Sequence, residues 1–347
     1  KKFGFGIVGA GMISHFHAKA IGEIKNAKLL GIYSTNKTKS DQFAEKHQCT
    51  AYATLDEMLS VPEIHIICIC TPSGIHLEPA IASIKAGKNC IIEKPLEITV
   101  ERCDEIIEAA RNAGVFIGVI FPSRFYEASK QLKKSLDEKR FGDLVLGDAY
   151  VKWSRTTEYY QSGKWRGTWK YDGGGALMNQ GIHSVDLLQW YMGEVESVQS
   201  VSGNIRHKDI EVEDTIVSTV KFKNGALGTI ECTTGVFPGS LKRVEIMGTA
   251  GSAILEEDQL IQWQFKEESK EDETIRNSMQ SGAVSHGGAS NPSDISFVGH
   301  QRQIEDFIHA IETNGKPLVD GEEGRKSVEI VCAIYESARL GNRIELS

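Results

Sequence analysis

The chain has 347 residues, more than one compact core usually encloses, so two domains are the starting expectation. Hydrophobic residues at 40% and charged residues at 25% describe an ordinary globular chain and exclude a disordered or low-complexity one. A net charge of -8, from 39 basic and 47 acidic residues, argues against the broad basic surface that nucleic-acid binding needs.

From residue 3 to about 120, short apolar runs alternate with helical periodicity. Strands are predicted at 3–8, 27–33, 64–70, 89–92 and 115–120, and helices at 13–24, 37–47, 75–86 and 100–113. Gly87 and Gly114 stand where helix C-termini want a left-handed residue. This alternation predicts an α/β fold that opens with a doubly wound parallel sheet, a Rossmann dinucleotide-binding domain over 1–122.

Beyond 122 the pattern changes. An amphipathic helix is predicted over 125–139, followed by β-rich segments, with Asn224-Gly225 marking a hairpin between 215–222 and 227–233. Residues 123–347 therefore read as an α+β domain with a large, mostly antiparallel open sheet for substrate binding and oligomerisation. Residues 266–296 lack periodicity and read as a mobile loop. Helices over 297–313 and 322–340 close the chain, free to pack back on the first domain.

Seven cysteines, odd in number, are scattered without a Cys-x-x-Cys pair, so neither a disulfide framework nor a metal site is expected. Cys68 and Cys70 lie in the apolar run at 64–70, as buried thiols of a reducing compartment do. With no apolar stretch long enough for a signal peptide or a membrane span, a cytoplasmic location is expected.

The first predicted strand runs into Gly9-Ala10-Gly11-Met12-Ile13-Ser14, a glycine turn that opens a helix whose free N–H groups suit a pyrophosphate; the third glycine is replaced by Ser14. The second strand ends at Tyr33-Ser34-Thr35-Asn36-Lys37, with no carboxylate to hold a ribose 2′-hydroxyl. Hydroxyls beside Lys37 suit a 2′-phosphate, which leans the cofactor expectation from NAD toward NADP.

Two further segments, Thr71-Pro72-Ser73-Gly74-Ile75-His76 and Glu93-Lys94-Pro95, resemble the Thr-Pro-Asn-x-x-His and Glu-Lys-Pro motifs of the Gfo/Idh/MocA oxidoreductases. The resemblance continues through Trp165-Arg166-Gly167-Thr168-Trp169, through Gly173-Gly174-Gly175 to Asn179, His183 and Asp186, and through Gly299-His300-Gln301 to Asp306-Phe307. It implies a nicotinamide-dependent dehydrogenase or reductase acting on a hydroxyl carbon of a sugar, cyclitol or sugar derivative. By this resemblance Gly9, Gly11, Met12 and Ile13 line the pyrophosphate, and Ser34, Thr35 and Lys37 the adenosine ribose. Thr71, Pro72, Ser73 and His76 pack near the nicotinamide ribose, Glu93 accepts from its hydroxyls, and Trp165 and Arg166 reach the cofactor. Ser73 departs from the family's usual Asn.

Hydride transfer from a secondary alcohol needs a proton acceptor and positive charge where the alkoxide develops, roles suited to His183 and Lys94. Asn179, His183 and Asp186 are spaced i, i+4 and i+7, so one helical face is expected to carry all three, and the glycines before them would let backbone approach a ligand. Asn179 stands where many family members carry Asp; a neutral amide hydrogen-bonds a substrate hydroxyl but takes no proton. Arg124, Trp153, Tyr159, Trp169, Asn179 and Asp186 are the candidate substrate contacts. Competing functions on this scaffold are an NAD-dependent glycoside hydrolase that retains its cofactor and a non-catalytic NAD(P)-binding sensor. In the strand at 215–222, Ile216, Val220 and Phe222 fall on one face and Thr215, Val217 and Thr219 on the other. The second face is thus semi-apolar, which predicts a homodimer or homotetramer.

Overall fold

A computed structural model describes residues 2–279 and 296–346. The chain divides into two compact units, Lys1–Pro122 with Ser296–Val328, and Ser123–Ile295 with Glu329–Ser347.

In the first unit, strands β1 (Phe3–Val8), β2 (Ala27–Tyr33), β3 (Thr50–Ala51), β4 (Ile64–Ile69), β5 (Asn89–Ile92) and β6 (Ile117–Val119) form one sheet in the order β3-β2-β1-β4-β5-β6. Every pairing is parallel. All six residues of β1 are buried, as a strand covered on both faces requires. The crossovers are α1 (Met12–Glu23), α2 (Lys37–His47), α3 (Leu55–Leu59), α4 (Leu77–Lys85) and α5 (Val100–Ala113). Side chains placed for the purpose start three of them: Asn36 caps α2, Thr54 and Glu57 form a capping box on α3, and Thr99 caps α5. The short β3 and α3 escape the periodicity reading because each is under two turns or three residues long.

The β6 edge is covered from the C-terminal part of the chain. Gln303 donates its amide to the Val119 carbonyl at 2.6 Å and accepts from the Phe121 N–H at 3.0 Å, while Ile304, Phe307 and Ile308 enter the core around Phe3, Phe5 and Ile7.

The second unit contains α6 (Glu127–Asp137), β7 (Leu144–Lys152), α7 (Thr157–Gln161), a π-helical turn (Ala176–Gly181), α8 (Ile182–Met192), β8 (Val195–Gly203), β9 (Thr215–Phe222) and β10 (Leu227–Thr233). Strands β11 (Arg243–Gly248), β12 (Gly251–Glu256) and β13 (Gln259–Phe265) follow, then α9 (Lys270–Met279). Helix α10 (Val298–Thr313) belongs to the first unit, α11 (Gly321–Leu340) begins there, and β14 (Ile344–Glu345) returns to the second. The eight strands run β13-β12-β11-β7-β10-β9-β8-β14, with β10 and β7 parallel and the other pairings antiparallel. At the hairpin, Gly225 takes φ 91°, which the Asn-Gly pair supplies without strain.

In β9, Ile216, Ser218, Val220 and Phe222 are buried while Val217 and Thr219 are exposed. Helix α8 packs on β7 and β11. Leu146 and Leu227 are register partners, as are Val201 and Val217, and all four are exposed, so the outer face carries an apolar component.

Two expectations change. The loop predicted over 266–296 contains α9, because Asp272 accepts from Arg140 at 2.7 and 2.8 Å, from the Trp263 indole at 2.7 Å and from Ser269 N–H at 2.7 Å; these are tertiary contacts that periodicity does not register. The part of that loop over 280–295 lies outside the described residues. Arg124 and Asp186, expected at the substrate, instead form a bidentate pair at 2.7 and 2.8 Å whose side chains have no exposed surface, with the guanidinium 5.0 Å from the Trp190 ring centre. The pair ties the 3₁₀ turn Pro122–Phe125 to the middle of α8.

Removing one partner from such a pair strands a charge in the interior. Asp186→Ala should therefore lower unfolding free energy by about 3–5 kcal/mol in denaturant titration, whereas an Arg124→Met, Asp186→Leu double replacement should recover a large part of it.

Candidate active site

The first unit presents the cofactor motifs along the carboxyl ends of its strands. Gly9 leaves β1 with φ 103°, and a Cβ there would meet the Cys70 carbonyl oxygen at 2.6 Å, so only glycine lets the β1 and β4 ends approach so closely. Gly11 is the N-cap of α1, faces open space, and has no side-chain cap; no acidic residue stands in the first turn. Those free N–H groups, with Met12 exposed beside them, fit a pyrophosphate. Ile13 packs onto the core, and Ser14, at the position of the motif's third glycine, turns inward to donate to the Gly11 carbonyl at 2.5 Å and braces the turn.

At the end of β2, Ser34 Oγ accepts from Asn36 N–H at 3.2 Å and Lys37 Nζ pairs with Asp41 at 2.6 Å, both at the surface; Thr35 is exposed. In the next motif, Pro72 leads into a 3₁₀ turn, Ser73–Ile75, Ser73 is buried, and Thr71 Oγ1 donates to the Ile75 carbonyl at 3.1 Å. His76 is interior, its two ring nitrogens 2.9 Å from the Pro95 carbonyl and 3.0 Å from the Thr71 carbonyl. It joins the Thr-Pro segment to the Glu-Lys-Pro segment through the two backbone carbonyls.

Glu93 is the centre of a buried polar cluster. Its Oε1 lies 2.8 Å from His17 Nε2 and 3.5 Å from His300 Nε2, and its Oε2 accepts from the Lys94 N–H at 3.3 Å. All three side chains are buried. Burial opposes the charge on Glu93, but the two histidines outweigh it and hold the carboxyl well below the usual carboxylate range. Burial holds His17 below its ordinary value, consistent with a neutral ring that donates Nε2–H. The three donor atoms lie within 4.8 Å of one another, the spacing of a cation site, although here hydrogen bonds link them. Glu93 thus links His17 and His300 to the backbone of Lys94, a half-buried residue.

In the second unit the predicted single helical face is broken by the π-helical turn. Asn179 stands inside that turn and donates to Asp172 Oδ1 at 2.6 Å, while Asp186, two turns on, is the internal partner of Arg124. His183 is half-buried in the first turn of α8. Asp172 is buried and also accepts from the Gly167 N–H at 2.9 Å, so a carboxylate adjoins the Asn179 amide.

Tyr159 gathers the polar groups nearby. Its hydroxyl accepts from Arg166 at 2.7 Å and from the Gln180 amide at 2.9 Å, and the guanidinium carbons of Arg166 and Arg155 lie 4.4 and 5.3 Å from its ring centre. Arg166 also covers Trp165 at 4.5 Å, and Arg155 covers the buried Trp153 at 4.8 Å. Trp169 is 47% exposed, donates to Glu211 and meets the Tyr335 ring edge-on at 5.2 Å. At Gly174 and Gly175 the protein itself takes the space a side chain would fill. A Cβ on Gly174 would meet Tyr335 Oη at 2.2 Å, and one on Gly175 would meet the Glu213 carbonyl at 1.7 Å.

Sequence reasoning missed His17, His300, Arg155, Asp172, Gln180, Glu213 and Tyr335. His300 was within reach, since it sits in a quoted motif; the others are isolated polar residues whose roles come from contacts distant in sequence.

Residues 3–121 match the oxidoreductase family with an NAD-binding Rossmann fold, and residues 129–254 match the GFO/IDH/MocA C-terminal domain. Among solved structures, the WlbA dehydrogenase of Bordetella pertussis, in complex with NADH and UDP-GlcNAcA, is 32% identical and superposes with a TM-score of 0.91, covering 100% of this chain and 98% of its own. The WlbA dehydrogenase of Chromobacterium violaceum, in complex with the same two compounds, is 32% identical with a TM-score of 0.89, covering 100% and 96%. A D-glucoside 3-dehydrogenase of Escherichia coli is 25% identical across 98% of this chain and 96% of its own length. A six-stranded parallel sheet with a glycine turn after β1, a Glu-Lys-Pro segment after β5, and an eight-stranded, mostly antiparallel sheet beneath the His183 helix thus carry a sequence that belongs to the GFO/IDH/MocA oxidoreductase family.

Proposed function

We propose that this oxidoreductase moves a hydride between nicotinamide and a ring hydroxyl carbon of a nucleotide-activated acidic sugar. The observation that carries the reading is the full-length likeness to two dehydrogenases bound to NADH and UDP-GlcNAcA. The Arg155 and Arg166 guanidiniums around Tyr159 support it, since forked donors suit a carboxylate. Bound nicotinamide supplies the hydride acceptor. The protein's part is to take the hydroxyl proton on the His183 imidazole, to oppose alkoxide charge with the Lys94 ammonium, and to orient the sugar hydroxyls with Asn179 and its Asp172 partner.

Incubation of UDP-GlcNAcA and of its neutral sugar counterpart with oxidised cofactor should give reduced nicotinamide with the acid and little with the neutral sugar. Lys94→Ala and His183→Ala should each lower turnover at least about a hundredfold with cofactor affinity changed less than about threefold. Turnover equal for both sugars rejects the acidic substrate, and near-parent rates in either variant reject that residue's role. Release of a glycosidic leaving group without the nucleotide sugar's oxidation would favour the hydrolase.

At the adenosine ribose, the exposed Lys37–Asp41 pair is worth less than about 1 kcal/mol and yields readily to a phosphate. With no carboxylate after β2, NADP should bind more tightly than NAD. Ser34→Asp should turn the preference to NAD by tenfold or more, as calorimetric titration of both cofactors will read; equal or tighter binding of NAD by the parent refutes this.

The outer face of the large sheet pairs two copies of the chain in this proposal, through the rows containing Leu146 with Leu227 and Val201 with Val217. Light scattering should give at least twice the 38.2 kDa chain mass, and Val217→Asp with Leu227→Asp should reduce it to one chain. A parent mass of one chain at micromolar concentration would discard the interface.

A further inference from the structure

The helical segment that carries Asn179 and leads to His183 starts without a side-chain cap of its own, because the residue at its N-cap is Gly175. A helix start exposes backbone N–H groups that must find acceptors. Here two residues from elsewhere in the second unit supply them. Glu213 Oε2 accepts from Gly175 N–H at 2.9 Å, the Glu213 carbonyl from Ala176 N–H at 3.1 Å, and Glu213 Oε1 from Leu177 N–H at 2.8 Å. Tyr335 Oη accepts from Met178 N–H at 3.1 Å and donates to Glu213 Oε1 at 3.0 Å. Four successive N–H groups are met by one carboxylate, its own carbonyl and one phenol. Gly174 and Gly175 lack side chains at the points where those two residues press in.

The far end is fixed independently. Asp186 in α8 is locked to Arg124, and Leu187 and Leu188 are buried beside it. Between the two anchors the backbone winds as a π-helix, a wide turn that holds one residue more than an α-helix would and is uncommon without outside support. Relaxation to α geometry would rotate the segment before α8 by about 100°, the step of one residue, and would carry Asn179 out of phase with His183.

We propose that Glu213 and Tyr335 are positioning residues for proton transfer, clamping the start of the wide turn so that Asn179 and His183 keep their relative orientation. The inference rests on the reading of His183 as the base. Burial pushes the Glu213 carboxyl up to about 7 against the Leu177, Tyr335 and Gly175 donors, which marks the clamp as a demanding arrangement for the interior to keep.

The test uses the full chain with nicotinamide cofactor and UDP-GlcNAcA, or the neutral counterpart if that is the sugar turned over. Glu213→Gln puts an amide donor against an N–H donor; Tyr335→Phe deletes one hydroxyl and keeps the ring. Each should lower kcat about tenfold or more with KM changed less than about twofold, and should shift the basic limb of the kcat/KM pH profile that reports the base. Ile216→Val, a buried change in the same unit with no part in the clamp, should leave that profile in place. If Glu213→Gln fails to fold, Tyr335→Phe decides alone. Parent-like kcat and pH profile in the folded clamp variants, alongside an inactive His183→Ala, overturns the clamp and spares the base; an active His183→Ala overturns both.

Discussion

A carboxylate taken out of water must be met by donors, and in this protein that demand decides where the functional side chains can stand. Glu93, Asp186 and Glu213 are each buried, and each recruits partners from elements far away in sequence. Glu93 gathers His17 and His300 and braces the amide of Lys94. Asp186 accepts from Nε and Nη2 of Arg124. Glu213 takes the head of the segment leading to His183. In each case a desolvation cost of several kcal/mol is offset only when the surrounding donors are in register, so the carboxylates act as constraints on geometry more than as sources of stability. The reacting groups proposed here are therefore held by neighbours that themselves have little freedom.

Much of the architecture was legible in the sequence because it is local. The strand-helix alternation of the first unit follows from runs of buried apolar residues in which periodicity dominates, and the Asn224-Gly225 hairpin follows from a backbone conformation few other residue pairs supply. The glycine turn and the Glu-Lys-Pro segment were legible for the same reason, as short contiguous strings. What could not be seen is what the fold brings together. Nothing around His17 says that it will meet Glu93, and nothing around Tyr335 says that its hydroxyl will serve Met178.

The single-face expectation for Asn179, His183 and Asp186 fails for a different reason. It assumed 3.6 residues per turn, and a π-helical turn changes the phase within one cycle. Arg124 is expected at the substrate because a forked donor suits the polar substituents of a sugar, and Asp186 because its spacing places it on the face of Asn179 and His183. Their burial reflects a pairing across sixty-two positions that no local pattern encodes. The same lesson applies to α9, whose formation depends on Asp272 finding Arg140 and Trp263.

The glycine triplet leaves one further consequence. Glu213 and Tyr335 already fill the space that side chains at Gly174 and Gly175 would take, so glycine at both positions is accounted for by the protein's own packing. A side chain at either position would collide with the protein whatever ligand it served, so a substitution there would disturb the start of the π-helical turn before it altered any contact with a substrate. On the proposed reading, the segment leading to His183 is held by the interior, and sugar selectivity would be free to change at Tyr159, Arg166 and the exposed Trp169.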